Sequence, residues 1–481
     1  MIHLLLAVLL TPVQVLAKAR AAAGVQAVGT YHIEVRETYS DATVTFDRIV
    51  QRANYVETTH DGQFTTAEGY VNGVVWTQNA NGIVLVRNRA PVTRDPYLMS
   101  LSVPSANASA LHVSNDSSGD VVLEITPRAG VTEQRVYDPS TFLVRSETFD
   151  NPNRKGTYVY SAYKRFFGTM IPSHVEYTSP YPQNDWSADV VSYVQVPDSS
   201  VHLAVPQSTP VFDVGASASL PLPVDFTKQG IVVRLMVAGR GLDFLLDSGA
   251  SESVIDEATA RELGLAVTEQ RAYDFLGKVT KGKTMIDDLA LGPIHARHFA
   301  LDTIPLSVNT EDRKIVGLLG GDFFASARIA VDFGKKTVTM LGASAALPTD
   351  GWTQLPIQVT DFVPVTKAKL NGVNGTFVVD LGSFDNILFA HYFANFTPNT
   401  RGDVQGRMIG VSGVIHDYRS YTFSRIDIGD LAFADMRASV IDGGRDVDTV
   451  NIDGVLGRTF WGDFAMIFDY ADQALYIKPE L

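Results

Sequence analysis

The 481-residue sequence contains no cysteine, has only 39 Lys and Arg against 53 Asp and Glu, and offers no apolar run long enough to span a bilayer. The missing cysteine excludes disulfide frameworks, thiolate nucleophiles, iron–sulfur clusters and Cys-based zinc sites together. A formal net charge of −14 argues against duplex nucleic acid or an anionic membrane surface as partner, because binding either needs a basic face that displaces counterions. There is no His-Glu-x-x-His and no Gly-x-Ser-x-Gly element, so zinc-protease and α/β-hydrolase chemistry lack their signatures. What is present is a 45% hydrophobic content, which excludes wholesale disorder, and a length that at roughly 100–200 residues per domain predicts two to four domains.

Ile2 to Leu10 is apolar apart from His3 and is followed by Pro12 and the small-residue pattern Val15-Leu16-Ala17. This predicts a secretory signal peptide over 1–17, hence a secreted or periplasmic protein, although the segment before the apolar run lacks the usual Lys or Arg. An uncleaved N-terminal helix is the alternative. Residues 25–205 read as an N-terminal antiparallel β domain. Gly29 to Val35, Ala42 to Ile49, Asp120 to Ile125 and Leu143 to Phe149 alternate with period two, and Asn72-Gly73 and Asn81-Gly82 are hairpin signals. Pro206, Pro210, Pro221 and Pro223, among small residues, mark a linker, placed over 206–215, or an extended entry into the next domain.

The rest of the chain repeats itself. An apolar strand runs into Phe244-Leu245-Leu246-Asp247-Ser248-Gly249, and another into Phe377-Val378-Val379-Asp380-Leu381-Gly382. Gly317-Leu318-Leu319-Gly320 is echoed by Gly454-Val455-Leu456-Gly457, and the strand ending at Asp332 by the one ending at Asp469. The offsets (380 − 247 = 133, 454 − 317 = 137, 469 − 332 = 137) are nearly constant, so two homologous lobes are expected, over 216–345 and 346–481.

A carboxylate at the end of a buried strand is costly unless backbone amides approach it, and Gly249 and Gly382 permit the tight turn that brings them there. Two such units facing each other cannot both ionise cheaply. They share a proton and hold a water, the ionised partner acting as general base while the protonated one polarises a substrate carbonyl. Asp332 and Asp469 close the repeated strands and read as structural.

Asp247-Ser248-Gly249 after an apolar strand, with Gly317-Leu318-Leu319-Gly320 downstream, resembles the retropepsin-type aspartic protease pattern, and its doubling resembles the fused, two-lobed pepsin-like enzymes. The resemblance implies a mainly β fold: a bilobal acid-protease β-barrel pair following the N-terminal antiparallel domain. It also implies a catalytic pair Asp247 and Asp380 supported by Ser248, Gly249, Leu381 and Gly382, no metal or organic cofactor, a peptide or protein substrate, and a monomer. Hairpin flaps are then expected near Tyr273 to Lys283 and near Ile409 to Tyr418, the second with Gly410 and Gly413.

The family carries Thr or Ser after each catalytic Asp, where the hydroxyl bonds across to the other lobe. Ser248 fits and Leu381 does not, so half of that bracing is expected to be missing. This leaves open an active endopeptidase, a peptide-binding pseudoprotease, or an active site made by pairing Asp247 between two chains.

Gly277 to Thr284 matches the phosphate-loop expression, but Gly292-Pro293 follows too soon for the long helix that motif needs. His295 and His298 lack a nearby third ligand for a metal. In the N-terminal domain, Tyr137 to Arg145 and Gly168 to Val175 loosely resemble LolA-type lipoprotein carriers, implying an accessory binding or scaffolding role.

Overall fold

The computed structural model describes residues 10–480, apart from 25–28, 40–42, 88–109, 129–130, 152–153, 180–184, 275–276, 307–308, 311–312, 348–349, 397–401, 410–414 and 442–451 and the single positions 210, 217 and 229. The chain divides into two compact units, one of residues 1–76 with 88–205 and the other of 77–87 with 206–481.

The first unit is an antiparallel sheet. Its strand Thr30–Tyr39 pairs on one side with Thr43–Gln51 and on the other with Trp186–Val196, and hairpins run outward from these two neighbours. The helix Pro12–Ala23 packs on this sheet. Thr11 and Gln14 cap each other reciprocally at its start, Pro12 occupies the first turn where no backbone donor is needed, and the helix stops at Gly24, whose φ is 82°. Val15, Leu16 and Ala19 pack with Val121, Leu123, Ile125, Tyr137, Tyr158 and Tyr160 in one apolar cluster. The helix therefore runs through Ala17, the residue after which the sequence predicts cleavage.

In the second unit the repeat seen in the sequence is a repeat of strand pairing. Arg240–Leu246 lies parallel to Arg313–Leu319 with Phe244 opposite Gly317, and Val373–Val379 lies parallel to Gly454–Leu456 with Phe377 opposite Gly454. The intervening strands match as well. Val254–Asp256 is parallel to Ile294–Ile304, as Ile387–Phe389 is to Leu431–Ile441. Each lobe is thus a sheet around a core of aliphatic and aromatic side chains, and the strands carrying Asp332 and Asp469 pair antiparallel, Ile329 opposite Phe468 and Val331 opposite Met466. They form the centre of a third sheet in which Ser219–Pro221, Thr337–Leu341, Arg328–Asp332, Phe464–Asp469, Ala474–Pro479 and Thr353–Pro356 bond in that order, joining the two lobes.

Two sequence assignments differ from the fold. The 206–215 stretch, read as a linker, is anchored at Phe212, which is fully buried with its ring against Phe299 and Phe323 at 5.3 and 5.4 Å. Residues 77–87, assigned to the N-terminal domain because they continue its strand–turn pattern, belong to the second unit, where Ile83 and Leu85 join the main apolar core. Burial of two large side chains, worth roughly 1.5–3 kcal/mol each, outweighs the local continuity of the pattern.

The phosphate-loop match lies within the strand Gly277–Leu291, which pairs with Thr268–Asp274 and then with Ile294–Ile304, so no helix N-terminus follows it. These strands make a hairpin at the first expected flap. Gly402–Ile409 and Ile415–Ile428 make one at the second, while Gly410 and Gly413 lie outside the described residues. His295 and His298 pair instead with Asp288 and Asp287 at 3.1 and 3.4 Å.

Candidate active site

The two Asp-x-Gly turns meet across the lobes with near two-fold symmetry. Asp247 N donates to Leu319 O at 2.9 Å, and Asp380 N to Leu456 O at 3.0 Å, so each aspartate ends its strand against the glycine element of its own lobe. Asp247 Oδ1 accepts from Gly249 N (2.9 Å) and Ala250 N (3.2 Å). Asp380 Oδ1 accepts from Gly382 N (2.7 Å) and Ser383 N (3.0 Å). The glycines matter for what they lack: a β-carbon on Gly249 would collide with the Asp380 carboxyl, and one on Gly382 with that of Asp247. Each carboxyl is therefore seated over the other lobe's glycine.

The carboxyls are hydrogen-bonded to each other, and both are held above the ordinary carboxylate range. For Asp247 the causes are burial first, then the charge of Asp380 and the bond to it; the rise is large. For Asp380 burial raises the value, and the Ser383 and Gly382 amides and the bond to Asp247 oppose it. Burial and their mutual charge thus disfavour ionising both carboxyls at once.

At the paired turns, the Ser248 side chain braces one lobe against the other. Its Oγ donates to Val379 O at 2.8 Å and accepts from Leu381 N at 3.0 Å. Leu381 is fully buried and has no polar atom with which to return a bond.

The surroundings of the two turns differ. Gly320 N donates to Ser253 Oγ (3.0 Å) and, in the second lobe, Gly457 N donates to Asn386 Oδ1 (2.9 Å). In the first lobe Ser253 also serves Asp322, which is completely buried: its Oδ1 accepts from Ser253 Oγ (2.5 Å), Ser253 N (2.9 Å) and Phe323 N (2.8 Å). Burial, only partly offset by Ser253, pushes the Asp322 carboxyl up to about 7. The repeat offset puts Thr459 at the matching place (459 − 322 = 137) and Arg458 where the first lobe has Gly321. The Arg458 guanidinium lies 5.4 Å from the Phe384 ring, and its charge helps lower Asp380 while burial lowers its own pKa. Phe384 itself, four residues beyond Asp380, is 57% exposed.

Three groups were not singled out as site residues from sequence. Lys283, the lysine of the apparent phosphate loop, is buried between Glu252 (2.6 Å) and Asp302 (3.2 Å). Tyr470 is buried, its hydroxyl without a partner among the described residues; burial, followed by the charges of Asp247, Asp380 and Asp322, holds its pKa well up. Arg458 could have been found by aligning the repeats. Asp332 and Asp469 stand apart from the site, held by Lys335 and Arg328.

Two strand-borne carboxyls thus meet at the junction of two repeated β lobes. The aspartyl protease family model matches the chain twice, over residues 233–323 and 366–460, both within the second unit. No curated protein sequence matches this one. Among solved structures the chain is similar to an aspartic proteinase from Irpex lacteus, at 13% identity over 55% of this chain and 98% of that one, with a TM-score of 0.37.

Proposed function

We propose that the protein is an aspartic endopeptidase in which Asp380 takes a proton from a water while Asp247 donates one to the substrate carbonyl. The observation that carries this reading is the pair of mutually seated, hydrogen-bonded carboxyls, whose raised pKa values keep one of them protonated where the other is ionised. The mechanism forms no covalent enzyme intermediate. Purified protein incubated with an unfolded polypeptide in mildly acidic heavy-oxygen water is expected to release peptides whose new carboxyl termini carry the solvent isotope after a single turnover. An absence of cleavage across the acidic range counts against the proposal.

A second reading, a peptide-binding pseudoprotease, is favoured by the apolar Leu381. Ser248 already makes two bonds across the junction, so Leu381→Thr is expected to change kcat/KM by no more than about threefold, under the roughly 1 kcal/mol of one further hydrogen bond. A gain of about a hundredfold or more would be equivalent to some 3 kcal/mol of restored positioning and would favour the pseudoprotease.

Export to a periplasmic or extracellular space and action as a monomer are part of the same proposal, the first resting on the Ile2–Leu10 run and Ala17, the second on the presence of both aspartates in one chain. N-terminal sequencing of the protein from its native host is expected to begin at Lys18. The structure makes the consequence specific, since that cut would remove Val15 and Leu16 from the apolar cluster of the first unit. An accessory binding role for that unit, on its LolA-like runs, completes the proposal.

A further inference from the structure

The turn Asn79-Ala80-Asn81-Gly82 comes from the N-terminal half of the chain, yet it is built into the first protease lobe. Asn79 Oδ1 accepts from Asn81 N (3.1 Å) and Ile83 N (3.0 Å), which fixes the turn. Asn81 then clamps the strand Ile294–Ile304 at one residue, its Oδ1 accepting from Ala300 N (2.7 Å) and its Nδ2 donating to Ala300 O (3.0 Å). The same Nδ2 donates to Asp322 Oδ2 at 3.2 Å. Beyond the turn, Val84 N donates to Ser208 Oγ, Val86 O accepts from Gln473 Nε2, and Ile83 and Leu85 are buried in the core.

Asp322 is not an isolated structural acid. Through Oδ1 it holds Ser253, which in turn receives Gly320 N, and Gly321 N donates to Ala250 O in the turn of Asp247. The lobe-2 counterpart of this support uses Asn386 alone and needs no outside residue. In lobe 1 one oxygen of a fully buried carboxyl is satisfied by an amide that neither repeat supplies.

We propose that Asn81 is a positioning residue of the first lobe, delivered by the strap 79–86, and that the N-terminal half is for this reason an integral part of the protease unit and not an excisable activation segment. Asn81 orders Asp322, Asp322 orders Ser253 and the Gly320–Gly321 elbow, and the elbow holds the Asp247 turn. The catalytic part of this inference rests on the endopeptidase reading; the structural part does not.

Two experiments on the full-length chain test it. First, a specific cleavage sequence inserted between Ala204 and Val205 allows the purified protein to be nicked. The two fragments are expected to co-elute under native conditions with the unfolding temperature of the second unit nearly unchanged, whereas with Ile83→Asp in the strap they separate and that temperature falls. If the wild-type fragments separate freely and residues 206–481 unfold at an unchanged temperature, the strap is not part of the unit and the proposal is overturned, whether or not the protein cleaves peptides.

Second, Asn81→Ala is expected to lower kcat about tenfold with KM little changed, the effect of a slightly displaced catalytic turn. Asn81→Asp separates positioning from simple loss of packing. Its carboxyl would face Asp322, with Glu252, Asp302, Lys283 and the Tyr470 hydroxyl as the surrounding titratable groups. In acid it is protonated and can replace one of the two bonds the amide donates, so its kcat is expected to recover part of the way to wild type at low pH and collapse as pH rises, while Asn81→Ala stays low throughout. Equal pH profiles for wild type and both variants would overturn the positioning role.

Discussion

Asp247→Asn is expected to lower peptide cleavage by at least about a thousandfold while leaving the fold intact, and Asp380→Asn to do the same. An asparagine at 247 keeps the oxygen that accepts from Gly249 and Ala250, so the turn should survive. What is lost is the shared proton: an amide can neither pass a proton to the scissile carbonyl nor take one back, and Asp380 loses the partner that holds the acid form. The same change removes a carboxyl that burial and Asp380 push well above its ordinary range, so the variant should unfold at a higher temperature than wild type near neutral pH. Higher stability with abolished turnover is a combination that ordinary structural damage does not produce. Rates on an unfolded polypeptide, read beside thermal unfolding of the same samples, measure both. Full activity in Asp247→Asn would falsify the dyad, and full activity in Asp380→Asn alone would return the site to a pairing of Asp247 between chains.

The second large effect is a stability that falls as pH rises. Asp322 has a folded pKa of about 7 against an ordinary 3.8, because burial opposes its charge. A group raised in this way contributes stability that is fully present below about 3.8 and is lost as pH rises through about 7, after which the curve levels. The difference of about three units corresponds to a loss on the order of 4 kcal/mol for this one side chain. Asp247 and Asp380 add to it with the same sign, so the second unit should be firmest in acid. Asp427, which the bond to Arg425 lowers, acts in the opposite sense and contributes stability lost as pH falls, but it is exposed and small in effect. Denaturant unfolding from pH 4 to 7 measures the slope, and Asp322→Asn should flatten it relative to wild type. A slope unchanged by the substitution would remove Asp322 as its source.

How far each part of this site could be read in advance follows from the range of the interactions. The turns at Asp247 and Asp380 were legible because a strand end, a carboxyl and a glycine fall within three consecutive positions, and because the chain wrote the unit twice. The echo of Gly317–Gly320 in Gly454–Gly457 was legible for the same reason, whereas the pairing of Phe244 with Gly317 and of Phe377 with Gly454 was decided by the fold. Lys283 was misleading: it completes a phosphate-loop expression, and only the register of Gly277–Leu291 against Ile294–Ile304 shows it to be a strand residue facing Asp302. Asn81 was legible as a turn residue, with no local sign that its amide reaches Ala300 and Asp322. Phe212 sat in a proline-marked stretch with no local sign that its ring packs against Phe299 and Phe323.

The sequence by itself determined the β character of the chain, the exclusion of thiol chemistry, the doubled Asp-x-Gly unit and the missing hydroxyl at Leu381, since each is a property of residue identity or short spacing. Tertiary structure decided which acids carry raised pKa values, which lobe needs outside support, and where the N-terminal half ends as a functional unit. Those depend on burial and on contacts such as that between Asn81 and Asp322, 241 residues apart, and neither desolvation nor so distant a hydrogen bond leaves a pattern in the local order of residues.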